Sequence, residues 1–157
     1  MKSAEEALIW IVNILRKHNI PFHIAGGLAA KIYGSERDLA DIDLDIPEEK
    51  FELIIPEVKN YIKYGPKQYK DDTWDLYLIT LLYEGQDIDI SGAYKAKLYN
   101  KDTKRWESAK TDFSKDEIKK IFGLKVPVMH LQELMSYKSK IQRDVDLEDL
   151  KAIAKPS

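Results

Sequence analysis

The chain is expected to fold as a single α+β domain, a mixed β-sheet flanked by helices, and three observations point there. Its 157 residues are the size of one ordinary domain, long enough to bury a full core without staples. Apolar residues repeat at helical spacing near both ends of the chain. Between them lie short segments in which acids alternate strictly with aliphatics, the period of a half-buried strand. No internal repeat or linker divides the chain, so residues 1–157 are read as one domain, with closing helices over about 130–154.

Ser3 with Glu6 has the form of a capping box, and Leu8, Ile11, Val12 and Leu15 follow on one helical face. A first helix is expected from Ala4 to His18, ended by Asn19 and Pro21. Phe22–Ala25 is a short strand running into Gly26–Gly27, and Leu28–Tyr33 a short helix closed by Gly34. Asp41–Ile46 is a strand stopped by Pro47, and Glu48–Asn60 a helix kinked or broken at Pro56. Leu76–Tyr83 and Asp87–Ser91 form a hairpin around Glu84–Gly85. Ala93–Trp106 is polar, with room for one strand and a loop. Lys125–Met129 is a strand interrupted by Pro127, and Leu131–Ile141 and Leu147–Ala154 are the last helices.

Composition excludes several classes. With 44% hydrophobic and 33% charged residues the chain reads as globular rather than disordered. It has no Cys, which rules out a disulfide scaffold, a thiol nucleophile and thiolate zinc, and a cytoplasmic location is expected. Neither a signal peptide nor a membrane-length apolar run is read at Met1–Asn13 or beyond. The net charge of −2 gives no general basic field for nucleic acid or membrane. Glu36–Glu57 nevertheless holds nine acids against Arg37 and Lys50, a local −7, and Lys95–Lys125 ten bases against five acids, a local +5. Most of those charges are expected on solvated faces. Lysine outnumbers arginine 21 to 4, a mild thermophile signal.

The chemistry concentrates in Asp41-Ile42-Asp43-Leu44-Asp45-Ile46. On a strand its three acids share one face and its three aliphatics the other. Carboxylates in a row repel unless solvated or holding a cation, and such hard oxygen donors suit Mg²⁺. Asp41, Asp43, Asp45 and Glu52 also match four positions of an EF-hand loop, but Ile46 and Pro47 stand where its sharp turn needs glycine. A second alternating segment, Asp87-Ile88-Asp89-Ile90, could set a further carboxylate beside the first. Three carboxylates around two metal ions form the arrangement used for in-line nucleotidyl displacement. Gly26–Gly27, 13 residues before Asp41, sits where backbone N–H groups can meet a phosphate.

Together these residues resemble the nucleotidyltransferase superfamily with the DNA polymerase β-like fold, and within it the small lincosamide and aminoglycoside nucleotidyltransferases. The likeness rests on Ala25-Gly26-Gly27, the Asp41–Ile46 strand, the later Asp87–Ile90 strand, Lys125–Val128 leading into a helix, and Asp146–Leu150. It implies Asp41 and Asp43 as metal ligands, Asp89 as third carboxylate and base, and Asp45 and Asp87 as spares that could replace a named ligand. It implies Gly26 and Gly27 at the triphosphate, with Lys138 (alternate Lys140) and Arg143 neutralising charge. Two Mg²⁺ ions are the implied cofactor. The implied reaction is transfer of a nucleoside monophosphate from ATP or another triphosphate to an acceptor hydroxyl, an activity of the EC 2.7.7 type. Two alternatives stay open: the same chemistry on a protein or tRNA acceptor in a toxin–antitoxin-type pair, and a non-catalytic nucleotide-binding or regulatory partner. A homodimer or a small helical partner protein is compatible with so short a chain.

This sequence departs from that pattern at Gly27, where many members carry Ser, and at Ala25, where lincosamide enzymes carry Asp. Ser35 is read as loop. His18, His23 and His130 lack ligand or triad spacing, with His130 placed near a helix start, and Ser91 is read as facing the site without a histidine to activate it. Tyr61, Tyr64, Tyr69, Trp74 and Tyr77 are read as core and sheet-face packing ahead of stacking on a ligand.

Overall fold

A computed structural model describes residues 3–154. Helix α1 (Ala4–Lys17) begins at Ser3, whose Oγ accepts the Glu6 N–H at 3.3 Å. Glu5 and Glu6 in its first turn and Arg16 and Lys17 in its last complement the helix dipole. Strand β1 (His23–Ala25) runs directly into α2 (Gly26–Ile32), so the two glycines open that helix rather than precede it. After β2 (Asp41–Ile46) comes a 3₁₀ turn, Glu48–Lys50, and then α3 (Phe51–Val58). Pro56 lies in the last turn of α3 and does not break it, and the expected longer helix finishes as a 3₁₀ turn, Lys59–Tyr61.

Strands β3 (Ile62–Lys70), β4 (Trp74–Tyr83) and β5 (Gln86–Gly92) form an antiparallel meander. The β4–β5 turn is at Glu84–Gly85, as expected, with φ of 49° and 77°. The polar stretch resolves into β6 (Lys97–Asn100) and β7 (Arg105–Ser108). Then follow β8 (Glu117–Ile121), β9 (Leu124–Val128), α4 (Leu131–Ile141) and α5 (Asp144–Ile153). Two of these strands escape pattern reading. β3 carries Gly65–Pro66 and two register shifts, and β8 reads Glu-Ile-Lys-Lys-Ile, without clean alternation.

Among the described residues all nine strands belong to one mixed sheet in the order β7-β6-β4-β5-β2-β1-β9-β8, with β3 on the other side of β4. At its centre β2 pairs parallel with β5 and antiparallel with β1. The aliphatic face of these strands (Ile24, Ile42, Leu44, Ile46, Ile88 and Ile90) is wholly inaccessible to water. Leu8, Ile11 and Leu15 of α1 and Phe51, Ile54 and Val58 of α3 belong to the same core. Each such side chain contributes roughly 1.5–3 kcal/mol of burial. Among the described residues no helix is long and apolar enough to cross a membrane.

The other end of the domain is joined by charge. Lys138 of α4 is 1% exposed, and its ammonium lies 3.0 Å from Asp146 and 3.0 Å from Asp149, both fully buried on α5. Arg37, between α2 and β2, donates to both oxygens of Asp149 at 3.1 and 2.8 Å, and the Ser35 hydroxyl adds a third bond at 2.8 Å. Ser35 is therefore buried structure, not free loop. Arg143 caps α5 through Asp146, donating its backbone N–H at 3.0 Å and its Nε at 2.8 Å. Burial would raise the Asp149 carboxyl, but the bonds from Arg37, Ser35 and Lys138 outweigh it and hold it at about 2.

Replacing Lys138 by Met leaves two carboxylates underground with less compensation. The expected cost is about 3–5 kcal/mol, as for other buried pairs that lose one partner. Urea unfolding of Lys138→Met against wild type measures it, and a loss under 1 kcal/mol would show the cluster to be dispensable.

Candidate active site

The face of the sheet opposite the aliphatic core floors a cleft of about 770 Å³. Strand alternation puts Asp41, Asp43 and Asp45 on that face, and the parallel β2–β5 register sets Asp41 beside Asp87 and Asp43 beside Asp89. The two acidic segments thus meet side by side. On the next strand His23 lies opposite Asp45 and Ala25 opposite Asp43. On the far side Thr80 of β4 lies opposite Asp89 and donates its hydroxyl to it at 2.6 Å.

Asp43 is the most perturbed of the acids. Burial pushes its carboxyl well above the usual range, and the charges of Asp89, Asp41 and Asp45 add to this against the opposing Arg143. Burial, Asp41 and Asp87 raise Asp89 too, opposed by the Thr80 hydrogen bond. Among the described residues no three His, Asp or Glu side chains are grouped so as to hold a metal ion by themselves. The fit to a cation rests instead on the donor chemistry. Hard carboxylates set side by side suit a divalent ion such as Mg²⁺, which binds through one or two carboxylates plus water and phosphate oxygens.

The spare acids have other partners. Asp45 Oδ2 lies 2.7 Å from His23 Nε2, and Asp116 Oδ1 lies 2.7 Å from His23 Nδ1. Burial alone would lower the His23 pKa, but the bonds to Asp116 and Asp45 outweigh it and push it up to about 9. His23, given no role by its sequence spacing, is therefore a buried imidazolium that holds Asp45 to one side. Asp87 pairs with Lys63 at 3.1 Å.

Gly26 shows why the turn and the acid strand need each other. Its φ is +59°, and a Cβ there would sit 2.2 Å from Asp43 Oδ2. Its N–H donates to the Tyr137 hydroxyl at 3.1 Å, bringing α4 over the turn. Burial raises that phenol well above its usual range, with Asp43, Asp146 and Asp45 adding to the effect. Gly27 also lines the cleft, and a Cβ on it would meet the Arg37 guanidinium at 3.0 Å.

Arg37 and Arg143 both border the cleft, beside the turn and the acids respectively. Arg143 lines the cleft close enough to Asp43 to oppose the rise of its carboxyl pKa. Lys138 also lines the cleft, yet its ammonium is engaged by Asp146 and Asp149, so it acts on Arg37 and Arg143 by organising their partners. Lys140 is bound to Glu107 at 2.7 Å. Arg37 and Tyr137 were not singled out by sequence, although one of only four arginines, between the glycine turn and the acid strand, was an available signal. Ser91 faces the cleft. The aromatic group divides: Tyr64, Tyr69 and Trp74 line the cleft, while Tyr61 packs with Trp10 and Tyr77 on Phe51. His130 is the N-cap of α4, accepting the Gln132 N–H.

Two measurements test this electrostatic description. His23 has a folded pKa raised from 6.5 to about 9, so its stabilisation is complete below pH 6.5 and lost as pH rises through 9. The stability gap between wild type and His23→Gln, from urea unfolding, should therefore shrink by on the order of 3 kcal/mol across that window. A constant gap would mean the imidazole is neutral throughout. Asp43 has the opposite effect, because an acid raised on folding destabilises the native state once ionised. In chelator at neutral pH, Asp43→Asn should melt at a higher temperature than wild type, and a lower melting temperature would show that the repulsion is already relieved.

No family model and no curated protein matches the chain. Solved structures do. A candidate nucleotidyltransferase from Thermotoga maritima superposes with a TM-score of 0.70 at 20% identity, covering 96% of this chain and 93% of that one. ANT(2")-Ia in complex with adenylyl-2"-tobramycin gives 0.64 at 17% identity over 97% and 88%. The lincosamide antibiotic adenylyltransferase LnuA, lincomycin-bound, gives 0.61 at 15% identity over 98% and 100%. Across nearly its whole length, the chain is thus similar in fold to nucleotidyltransferases, as its glycine turn and acidic strands had implied.

Proposed function

We propose that this chain is a Mg²⁺-dependent nucleotidyltransferase that moves a nucleoside monophosphate, from ATP in the first instance, to a hydroxyl of its acceptor. The observation that carries the reading is the register pairing Asp43 with Asp89, next to Asp41, on a cleft floor beside the Gly26–Gly27 turn. The fold shared with adenylyltransferases supports it.

In this reading Asp41 and Asp43 hold the metal, and Asp89 adds a third carboxylate. Bound Mg²⁺ supplies Lewis-acid stabilisation of the charge that develops on the phosphate oxygens. Gly26 and Gly27 leave room for the triphosphate at the turn, and Arg37 and Arg143 offset its charge from the two sides of the cleft. Lys138 keeps both arginines in place through Asp149 and Asp146. The acceptor oxygen attacks the α-phosphorus in line, and an O–P bond forms as the bond to the bridging oxygen breaks. Pyrophosphate leaves, and the hydroxyl proton passes to Asp89. Tyr64, Tyr69 and Trp74 offer rings for stacking on the base or the acceptor.

Two of the structural neighbours carry small hydroxylated molecules, lincomycin and an adenylylated tobramycin. The acceptor here is accordingly proposed as a small polyhydroxylated molecule. A macromolecular acceptor and a binding-only domain are the readings against which it is set.

Calorimetric titration with a non-hydrolysable ATP analogue, with and without Mg²⁺, tests the site. Wild type should bind only with Mg²⁺, and Asp43→Asn should weaken binding at least tenfold. Asp89→Asn should retain most of the binding while losing pyrophosphate release on an acceptor panel by roughly a hundredfold or more, the scale of a missing general base. A folded wild type that binds neither ATP nor GTP analogues would overturn the proposal.

A further inference from the structure

The sheet ends at three strands, and they are protected unequally. The ladder of β3 shifts register between Ile62 and Tyr64 and again between Tyr64 and Lys67. Such irregularity discourages pairing with another chain. β7 is four residues long, and its Glu107 is tied to Lys140 and Asn100. β8 lacks the bulges of β3, and its protection is limited to the charges of Glu117, Lys119 and Lys120, which a second copy can complement. It keeps an unbroken five-residue register against β9, and Ile118 near its middle is 66% exposed.

The backbone of β8 points its free groups outward at definite positions. The β8–β9 hairpin turns through Phe122 and Gly123, with φ of 51° and 79°. A two-residue turn of this kind makes the flanking pair, Ile121 and Leu124, a hydrogen-bonded one, and bonding then alternates along the ladder. Lys119 and Glu117 therefore bond to β9, while the N–H and C=O groups of Ile118 and Lys120 face away from it. Pro127, which has no N–H, lies opposite Ile118 and agrees with this phase. Among the described residues, the backbones of Ile118 and Lys120 take part in no hydrogen bond outside the hairpin.

We propose that β8 is a self-association edge: it pairs antiparallel with β8 of a second copy about a two-fold axis at Ile118. Several registers satisfy the outward backbone groups, and charge selects this one among them. Centring on Ile118 makes the two Ile118 residues exchange both backbone bonds and sets Glu117 opposite Lys119 on each side. Glu117 and Lys119 share a face, as their 3.7 Å approach within one chain shows. Centring on Lys119 would use the same outward groups, pairing Ile118 with Lys120, but would set Lys119 directly against its own copy. Centring on Lys120 would place that lysine against its own copy, which is repulsive. In the Ile118 register the Lys120 N–H of each copy reaches the Asp116 carbonyl of the other, whose own N–H is held by Phe113. Asp116 also binds His23 in the cleft, so the association places a lysine of the second copy behind that acid. A ladder this short makes a small interface, and a micromolar dimer is expected.

Sedimentation velocity over a hundredfold concentration range tests the proposal, and it does not depend on the reaction proposed above. Wild type should pass from monomer to dimer. Lys120→Pro removes only an outward N–H and should remain folded by circular dichroism yet monomeric. Should that variant fail to fold, Ile118→Lys, at an exposed position, serves in its place and should also be monomeric. Glu117→Lys should raise the dissociation constant roughly tenfold or more, and Glu117→Lys with Lys119→Glu should restore it. A wild type that stays monomeric throughout, or a dimer that a folded edge variant leaves intact, would overturn it.

Discussion

The alternation of charge and aliphatic side chains on two neighbouring parallel strands is the constraint on which this domain depends. Asp41, Asp43 and Asp45 on β2 and Asp87 and Asp89 on β5 lie over a fully buried layer of Ile42, Leu44, Ile46, Ile88 and Ile90. A slip of one residue in either strand would turn carboxylates into the core and isoleucines into the cleft. The hydrophobic effect thus fixes the position of the acids, and their mutual repulsion is carried by the stability of the layer beneath. Local conflict of this kind, set against a well-packed layer, is typical of functional sites.

Around that floor the remaining charges fall into two groups with different work. Lys138, Asp146 and Asp149 are underground and orient Arg37 and Arg143, which border the cleft. His23, clamped by Asp45 and Asp116, engages one acid of the row. In the proposed reading this leaves Asp41 and Asp43, and not Asp45, to meet a cation. An ion pair can thereby select one arrangement among several as well as add stability.

Much of this was legible in the residues themselves. The acid–aliphatic period located β2 and β5, and Ser3 with Glu6 located the start of α1, because each signal is local. The register that brings Asp89 beside Asp43 agrees with what the two similar segments implied. Lys138 was legible as a residue but not in its role: a lysine reads as a solvated cation unless its buried partners are known, and Asp146 and Asp149 lie on the next helix. Arg37, His23 and Tyr137 act through contacts from distant parts of the chain, which no spacing rule records. The strands β3 and β8 were hidden for a related reason, since edge strands face water on more sides and need not alternate.

Gly26 carries a further meaning. The space where its side chain would be is occupied by the carboxylate of Asp43, seventeen positions later, while its N–H is bonded to Tyr137 of α4. Those two atoms couple three elements that otherwise touch through ordinary packing. A side chain at residue 26 would have to displace the Asp43 carboxylate and adopt a left-handed backbone at the same time. Turn and acid therefore behave as one unit under substitution: neither position can be redesigned without the other.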